Sequence, residues 1–308
     1  MGEKQKIWNK SVLILAAFAV VMFTVGTASA EILKWTGCGI TKKAFMVEAA
    51  KAYKDKTGNI IGLSGGGATK GIRSAHSGHA DMGGNCRPSL PGKFPNEEGN
   101  VFLTLVAWDA LVPIVHKDNP VNSISGADLK EVLRGEVTNW KAIGGPDKKI
   151  EVVARKGKIS GVGYMTRKII FGNPEVDYAD DALLLKSSGP VENKIKTDLS
   201  AIGVTGMSSA KKRIDNNESL KVLAVDGKEA TGKNIATGAY PTFRPLFIST
   251  NGKPEGEVKA FLDWLLSDEG QAVIESAGTV SVRQGKGLKD KFQYWENTDR
   301  IVNFDSLP

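Results

Sequence analysis

The sequence has few of the residues on which specialised scaffolds depend. Its 308 residues include only two cysteines and three histidines. Two cysteines exclude a disulfide-rich scaffold and a zinc site closed by four thiolates. The metalloprotease motif HExxH and the Walker phosphate loop are also missing, as are internal repeats. No enzyme is therefore predicted.

Blocks of like charge are missing as well. The chain has 41 Lys and Arg against 34 Asp and Glu, a formal net charge of +7, but the basic residues are scattered among acids. Dispersed charge is typical of a solvated surface and not of a nucleic-acid-binding stripe. No nucleic-acid partner is predicted. With 41% hydrophobic residues the chain is also not a disordered one.

The sequence has one long apolar run, which spans residues 11–25. Three lysines precede this run, and Ala28 and Ala30 follow it in a small-x-small pattern. The order predicts a secretory signal peptide over residues 1–30, cleaved near Ala30. A retained anchor is the alternative, but about 15 residues are fewer than the ~20 that span a bilayer. The mature chain, with a charge lowered from +7 to +5 by the loss of three Lys and one Glu, is predicted to be periplasmic or secreted.

The mature chain begins with an alternation of predicted strands and helices. Residues 31–36, 59–63 and 80–83 read as strands, and residues 41–56, with Thr41 as N-cap, and 71–77 as helices. This alternation predicts an α/β unit with a parallel sheet. Glycine-rich loops follow the strands, at the sheet edge where such folds bind ligands.

The second half of the chain follows the same plan. Residues 103–116 form an apolar run interrupted by Asp109, which predicts two strands with a break. Residues 258–277 predict a helical region broken near Gly270. Two α/β lobes in an exported chain are typical of a binding protein that closes on a small ligand.

Five segments carry a resemblance to a known family, in that family's order, from about residue 35 to about residue 282. They are FMVEAAKAYKDKTG, GGATKGIRSAHSGHADMGG, LVPIVHKDNPVNSISGADLKEVLRGEVTNWKAIGG, AIGVTG, and GAYPTFRPLFISTNG with VKAFLDWLLSDEGQAVIESAG. Through them the chain resembles the periplasmic phosphate-binding proteins of phosphate ABC transporters. The resemblance implies a type II periplasmic binding protein fold, with two α/β lobes of parallel-rich sheets joined by two crossing strands. Lobe 1 would comprise residues 31–110 and 246–308, and lobe 2 residues 111–245.

The resemblance also implies the ligand-binding residues. In the family, loops that follow strands surround a tetrahedral oxyanion with backbone N–H groups, hydroxyls and an arginine. The corresponding positions in this sequence are Gly39, Ile40 and Thr41 in the first loop, Thr69 and Lys70 in the second, Arg87 after the third strand, and Arg155, Ser160, Gly161 and Val162 in the last.

Several of these positions depart from the family's pattern. Cys38 and Ile40 stand where Ser or Thr is usual, Ala68 replaces a Ser, and Val162 replaces a Thr. Each lost hydroxyl donor costs about 0.5–1.5 kcal/mol of binding. Lys70 and Arg87 could compensate with charge. The ligand is therefore predicted to be phosphate or a related oxyanion, and a different or partly organic anion stays open.

The two cysteines lie just after strands that are neighbours in the family's sheet. The resemblance therefore implies a Cys38–Cys86 disulfide at the edge of the cleft, given an oxidising compartment. Two buried free thiols, or a thiolate pair on a soft metal, are the alternatives. His76 and His79, three residues apart, indicate either a metal site or exposed polar residues; no metal and no cofactor are predicted.

The predicted function is that of an exported solute-binding protein. It would capture phosphate or a similar small anion, as a monomer, and deliver it to the permease of an ABC transporter. The alternative is a ligand sensor or binding module of the same fold that no longer binds phosphate.

Overall fold

The structure is a computed structural model that describes residues 31–308. The predicted signal peptide lies outside the described residues. The strands are β1 (Ile32–Gly37), β2 (Ile60–Gly65), β3 (Met82–Asn85), β4 (Val101–His116), β5 (Ser123–Ile124), β6 (Glu151–Arg155), β7 (Leu183–Leu185), β8 (Ala201–Gly206), β9 (Leu220–Val222), β10 (Ala224–Val225), β11 (Phe243–Asn251) and β12 (Val280–Ser281).

Helices follow most of the strands. They are α1 (Gly39–Thr41), α2 (Val47–Thr57), α3 (Ala68–His76), α4 (Pro95–Glu98), α5 (Gly126–Arg134), α6 (Gly161–Thr166), α7 (Ser188–Ile195), α8 (Met207–Asp215), α9 (Gly232–Ala236), α10 (Gly256–Leu266), α11 (Asp268–Ser276) and α12 (Leu288–Lys291). Two π-helical segments, Lys42–Met46 and Arg167–Phe171, continue α1 and α6. Short 3₁₀ turns span Trp140–Ile143 and Thr298–Arg300. Among residues 31–308, no helix combines the length and apolar character that crossing a membrane requires.

One sheet with the order β2-β1-β3-β11-β4-β8-β6-β7 organises these elements. In its first half β1 pairs in parallel with β2 and β3, and in its second half β6 pairs in parallel with β7 and β8. The antiparallel strands β4 and β11 join the halves, because β4 pairs with β11 along its first ten residues and with β8 further on. The predicted α/β class with two crossing strands is confirmed.

Strand β4 differs from its prediction. It runs unbroken for 16 residues, whereas a break at Asp109 was predicted. The carboxylate of Asp109 is buried but satisfied: Arg244 Nη2 donates to it at 3.1 Å and the backbone N–H of Ser208 at 3.0 Å. A charge with these partners does not need to leave the sheet.

Two helix boundaries also differ from prediction. Cys38, and not Thr41, is the N-cap of α1, because its Sγ accepts a hydrogen bond from the backbone N–H of Thr41 at 3.4 Å. The break between α10 and α11 lies at Ser267, which caps α11, and Gly270 lies inside α11. A Cβ on Gly270 would lie 2.2 Å from the carbonyl oxygen of Trp264, so this glycine permits the close turn between the two helices.

The packing of Trp35 fixes the strand ends next to the cysteines. Gly37 and Gly84 are register partners in β1 and β3, and the fully buried indole of Trp35 lies against both. A Cβ on Gly84 would lie 1.9 Å from Cζ2 of Trp35, and one on Gly37 2.3 Å from it. Only glycine fits at either position, and the chain enters the Cys38 and Cys86 turns directly after them.

We predict that removing the Asp109 carboxylate is strongly destabilising. Asp109→Ala leaves the Arg244 guanidinium buried without its counter-charge, which costs about 3–5 kcal/mol. Asp263→Ala is the matched control, because Asp263 forms an exposed pair with Lys259, and it is expected to change stability by less than about 0.5 kcal/mol. Urea unfolding of both variants measures the difference; equal midpoints would contradict the assignment.

Candidate ligand-binding site

Four strand-to-helix connections converge at one edge of the sheet. Strand β1 leads into α1, β2 into α3, β6 into α6 and β7 into α7, and in each case the start of the helix faces the same cavity. Each helix start presents backbone N–H groups that have no partner within the helix. Together with the partial positive charge of a helix N-terminus, these groups favour an anion.

The cavity between these connections has a volume of about 520 Å³. Most of its lining residues are small, which leaves the backbone accessible to a ligand. They are Cys38, Gly39, Ile40, Lys43, Gly65, Gly66, Gly67, Ala68, Cys86, Arg155, Gly161, Val162, Lys186, Ser187, Ser188, Gly189 and Ser209.

The lining has basic side chains and no carboxylate among the residues that the structure describes. Lys43, Arg155 and Lys186 contribute cations, and the lining residues that the structure describes include no Asp or Glu. Arg155 is largely buried, and its guanidinium makes one hydrogen bond within residues 31–308, to the carbonyl of Leu185 at 3.1 Å. Burial lowers the pKa of Arg155, so a bound anion would offset the cost of desolvating its charge. The arrangement fits a small anion.

A family model described as a PBP superfamily domain matches residues 31–269. The chain belongs to the PBP superfamily.

Several relatives within the PBP superfamily are named as phosphate-binding or phosphate transport proteins. The phosphate-binding protein PstS of Borreliella burgdorferi is 32% identical over 185 residues, which cover 58% of this chain and 66% of that protein. PstS of Bacillus subtilis is 26% identical, with 92% of this chain and 97% of that protein covered. A candidate substrate-binding protein of a phosphate ABC transporter from Clostridium perfringens, solved with bound phosphate, matches with a TM-score of 0.72 and 26% identity, over 82% of this chain and 99% of that one. The predicted type II fold and family resemblance are confirmed.

The predicted ligand residues of this PBP superfamily member divide into two groups. Gly39, Ile40, Arg155, Gly161 and Val162 line the cavity. The two cysteines line it as well.

The other predicted positions lie outside the lining. The hydroxyls of Thr41 and Ser160 bond to nearby backbone carbonyls, of Cys38 at 3.1 Å and of Gly157 at 3.1 Å. Lys70 is exposed, and the hydroxyl of Thr69 donates to the carbonyl of Ile159 at 2.8 Å. These side chains shape the loops around the cavity without facing it.

Arg87 differs most from its predicted role. Its guanidinium is fully buried and forms a two-pronged ion pair with Glu98, at 2.9 Å from Nη1 and 2.7 Å from Nη2. Burial raises the pKa of Glu98, but the bonds and charge of Arg87 outweigh it and lower that pKa overall. The charge of Arg87 is neutralised inside the protein and is not directed at a ligand.

Part of the cavity wall was missed in the sequence. Lys186, Ser187, Ser188 and Gly189, at the start of α7, line the cavity, and neither serine side chain caps the helix. The letters KSSGP contain a helix-start signal, a serine followed closely by proline. Lys43 was missed too; its Nζ donates to Ser209 Oγ at 2.9 Å and pairs with Glu192 at 3.3 Å.

The cysteines are adjacent but unbonded. The Sγ atoms of Cys38 and Cys86 are 3.5 Å apart, and both are free thiols. A disulfide has its sulfurs about 2.05 Å apart. The predicted disulfide is therefore absent from this structure, although the predicted proximity is present, and the pair is held instead by a thiol–thiol hydrogen bond.

The two thiols differ in acidity. Burial raises the pKa of Cys38, but hydrogen bonds from Cys86 and Thr41 and the positive charge of Arg244 outweigh it and lower that pKa to about 6. The hydrogen bond to Cys38, together with burial, raises the pKa of Cys86 well above its ordinary value. These shifts favour the thiolate at Cys38 and the thiol at Cys86 near neutral pH.

The two halves of the sheet meet around the cavity through direct bonds. The Thr69 hydroxyl and Arg87 Nε both donate to the carbonyl of Ile159, each at 2.8 Å. On the opposite side, Lys43 reaches Ser209. These contacts join the two halves of the sheet beside the cavity.

Other features that could serve as metal, catalytic or binding sites lie outside this cavity. His76 Nε2 is 2.9 Å from the carbonyl of Asn96, and His79 Nδ1 is 2.6 Å from Ser77 Oγ. Residues 62–66 match GxSxG by letters, but Ser64 lies within β2 and does not line the cavity. A larger hollow of about 650 Å³ has Asp215 and Glu229 in its wall beside Lys211 and Lys221, so its lining lacks the excess of positive charge that favours an anion.

We predict that the Cys38 thiolate is directly observable. Thiolates absorb near the short-wavelength edge of the protein ultraviolet band, so a pH titration of the reduced chain should show one thiolate appearing with a midpoint near pH 6. Cys38→Ser should remove this transition. A transition that appears only above pH 8 would show that Cys86 and Arg244 do not stabilise the thiolate.

Proposed function

We propose that the chain is an exported solute-binding protein that captures phosphate or a related oxyanion in the cavity and delivers it to an ABC transporter. The observation that carries the proposal is the convergence of four helix starts and Arg155 on a cavity whose described lining has no carboxylate. The names of the relatives and the phosphate bound in the Clostridium perfringens structure support phosphate as the ligand.

The proposed mechanism is closure of two lobes on the anion. Residues 31–110 and 246–308 form lobe 1, residues 111–245 form lobe 2, and β4 and β11 cross between them. Each lobe offers two of the four helix starts. An anion held by both lobes stabilises the closed form by its difference in affinity for the closed and open forms.

Within the cavity the proposed contacts fall into two kinds. Backbone N–H groups at Gly39, Ile40, Gly161 and Val162 would donate to the anion's oxygens, and Arg155 would supply a bidentate, charge-assisted contact. To the predicted set we add the start of α7, whose serines have uncommitted hydroxyls. Binding would be reversible, with no chemical step.

The setting of the protein follows from the same proposal. Cleavage near Ala30 would release the chain into the periplasm or to the exterior, where it would act as a monomer and dock on a permease. Periplasmic delivery of an anion needs no cofactor, because the helix starts and Arg155 supply the recognition.

A sensor or binding module that no longer binds phosphate is the second candidate. One observation favours it: Ala68 and Val162 place methyl groups in the cavity wall where hydroxyls would serve a phosphate. Loss of such donors lowers affinity for a fully oxygenated anion.

We predict that Arg155 carries much of the anion affinity. Arg155→Gln should weaken phosphate binding by about 10- to 100-fold, the effect of losing a hydrogen bond to a charged group. Arg134→Gln is the matched control, because Arg134 lies in α5 and pairs with Glu136. Isothermal titration with phosphate measures both.

Two results would count against this. Equal affinities for wild type and Arg155→Gln would remove Arg155 from the site. No response of the wild type to phosphate, sulfate or molybdate would reject oxyanion capture and leave the sensor alternative.

We predict that restoring a hydroxyl tightens phosphate binding. Val162→Thr adds a donor at the start of α6 and should raise affinity about 2- to 10-fold, the value of one neutral hydrogen bond. Val162→Ala controls for the change of packing and should bring no gain. An equal effect of both variants in the same titration would show that residue 162 does not face the anion.

A further inference from the structure

Two thiols face the same space as the anion-binding groups. Cys38 and Cys86 are both buried, both line the cavity, and their sulfurs are 3.5 Å apart. Cys86 points across the cleft at the start of α6, since a Cβ built on Gly161 would lie 2.6 Å from its sulfur. A ligand seated against the helix starts therefore meets two sulfur atoms.

A metal ion that prefers four ligands, such as Zn²⁺, does not fit this setting. Three cations, Lys43, Arg155 and Lys186, share the cavity with the thiols. Within residues 31–308 no group of three or more His, Cys, Asp and Glu side chains is placed to hold a metal ion. A divalent cation would have two protein ligands and three positive neighbours, which is unfavourable both in coordination and in charge.

A fully oxygenated anion uses only part of the site. Thiols are weak hydrogen-bond donors, so they replace hydroxyls poorly around phosphate. A ligand that matches the whole cavity would bond to sulfur on one side and present oxygen to the helix starts and Arg155 on the other. An oxyacid of a trivalent metalloid has both properties.

We propose that the cavity captures arsenous acid, or its antimony counterpart, as a dithiolate adduct of Cys38 and Cys86. The inference rests on the proposal above that this cavity is the ligand site. In the step, two sulfur–arsenic bonds form and two arsenic–oxygen bonds break. The two hydroxyls leave as two waters, one with the proton of Cys86 and one with a proton from solvent, because Cys38 reacts as its thiolate. Arsenic stays trivalent, so no oxidant or reductant is needed, and the third hydroxyl remains on the metalloid.

The geometry of the pair suits one bridging atom. Trivalent arsenic is pyramidal, so two sulfurs bonded to it at about 2.3 Å, the length of a metal–thiolate bond, subtend an angle of about 95° and lie about 3.4 Å apart, close to the 3.5 Å observed. The two thiols therefore need little movement to share a ligand. The low pKa of Cys38 makes it the first nucleophile, and Cys86 supplies the proton for the first water lost.

The test uses the reduced exported chain, with both thiols titratable at the start. Arsenite is the probe, and arsenate and Zn²⁺ are the comparison ligands. Non-denaturing mass spectrometry should show one arsenic per chain with one retained hydroxyl and two thiol hydrogens lost, and arsenate and zinc should give no such adduct. Cys38→Ser and Cys86→Ser should each weaken arsenite binding at least 100-fold, with urea unfolding midpoints confirming that the variants fold.

X-ray absorption at the arsenic edge of the wild-type complex is the second measurement, and it does not depend on any variant folding. Two sulfurs and one oxygen around arsenic support the proposal; one sulfur, or oxygen alone, overturns it, as does stoichiometric zinc binding.

Phosphate titration separates this inference from the proposed function. Binding of phosphate but not of arsenite would support the proposed function and overturn the arsenite inference. Binding of arsenite without a response to phosphate would support the arsenite inference and count against the proposed function.

Discussion

The buried ion pair between Asp109 and Arg244 is the contact on which the arrangement of the molecule depends. It lies where β4 and β11 cross between the two halves of the sheet, with both side chains almost fully buried. Asp109 also accepts from the backbone at the start of α8, and Arg244 Nη1 lies 3.4 Å from the carbonyl of Cys86. One pair therefore fixes the crossing, orients a helix of the second half, and tethers a cysteine turn of the first half. The geometry of the Asp109–Arg244 pair constrains the cavity because Asp109 also bonds to the start of α8 and Arg244 to the turn at Cys86.

The cavity combines a backbone frame typical of anion sites with side chains that are unusual for one. Helix starts supply N–H groups whatever the sequence, so the frame tolerates substitution. The side chains around it are methyl groups and thiols at Ile40, Ala68, Val162 and the two cysteines. The result is a site whose electrostatics still select anions while its direct contacts have become softer and less polar. Ligand choice in such a site depends on the side chains, since the frame does not distinguish one small oxyanion from another.

The sequence predicted the alternation of strands and helices and the glycine-rich loops after the strands, because these depend on local periodicity and on glycine placement. The crossing strands were implied by the family resemblance and not by periodicity. It failed where the deciding partner is distant. Asp109 looked like a break because Arg244 lies 135 residues away, and Arg87 looked like a ligand because Glu98, beyond a proline-rich loop, was not recognised as its partner. The start of α7 was missed for another reason: the letters KSSGP contain a helix-start signal, but such a signal does not show which cavity the helix faces. The proximity of the cysteines could be predicted from the order of the strands, but their bonding state could not.

The carbonyl of Ile159 accepts from both Thr69 and Arg87, and this shared acceptor has a kinetic consequence. In the proposed closure mechanism, opening the cleft would break both bonds, and within residues 31–308 no other donor reaches this carbonyl. Two bonds lost in one event raise the barrier to opening more than they stabilise either end state, since both donors and the carbonyl are rehydrated once the cleft is open. In the proposed closure mechanism, the residence time of a captured anion would therefore depend on the two bonds to Ile159 as well as on the anion's own contacts.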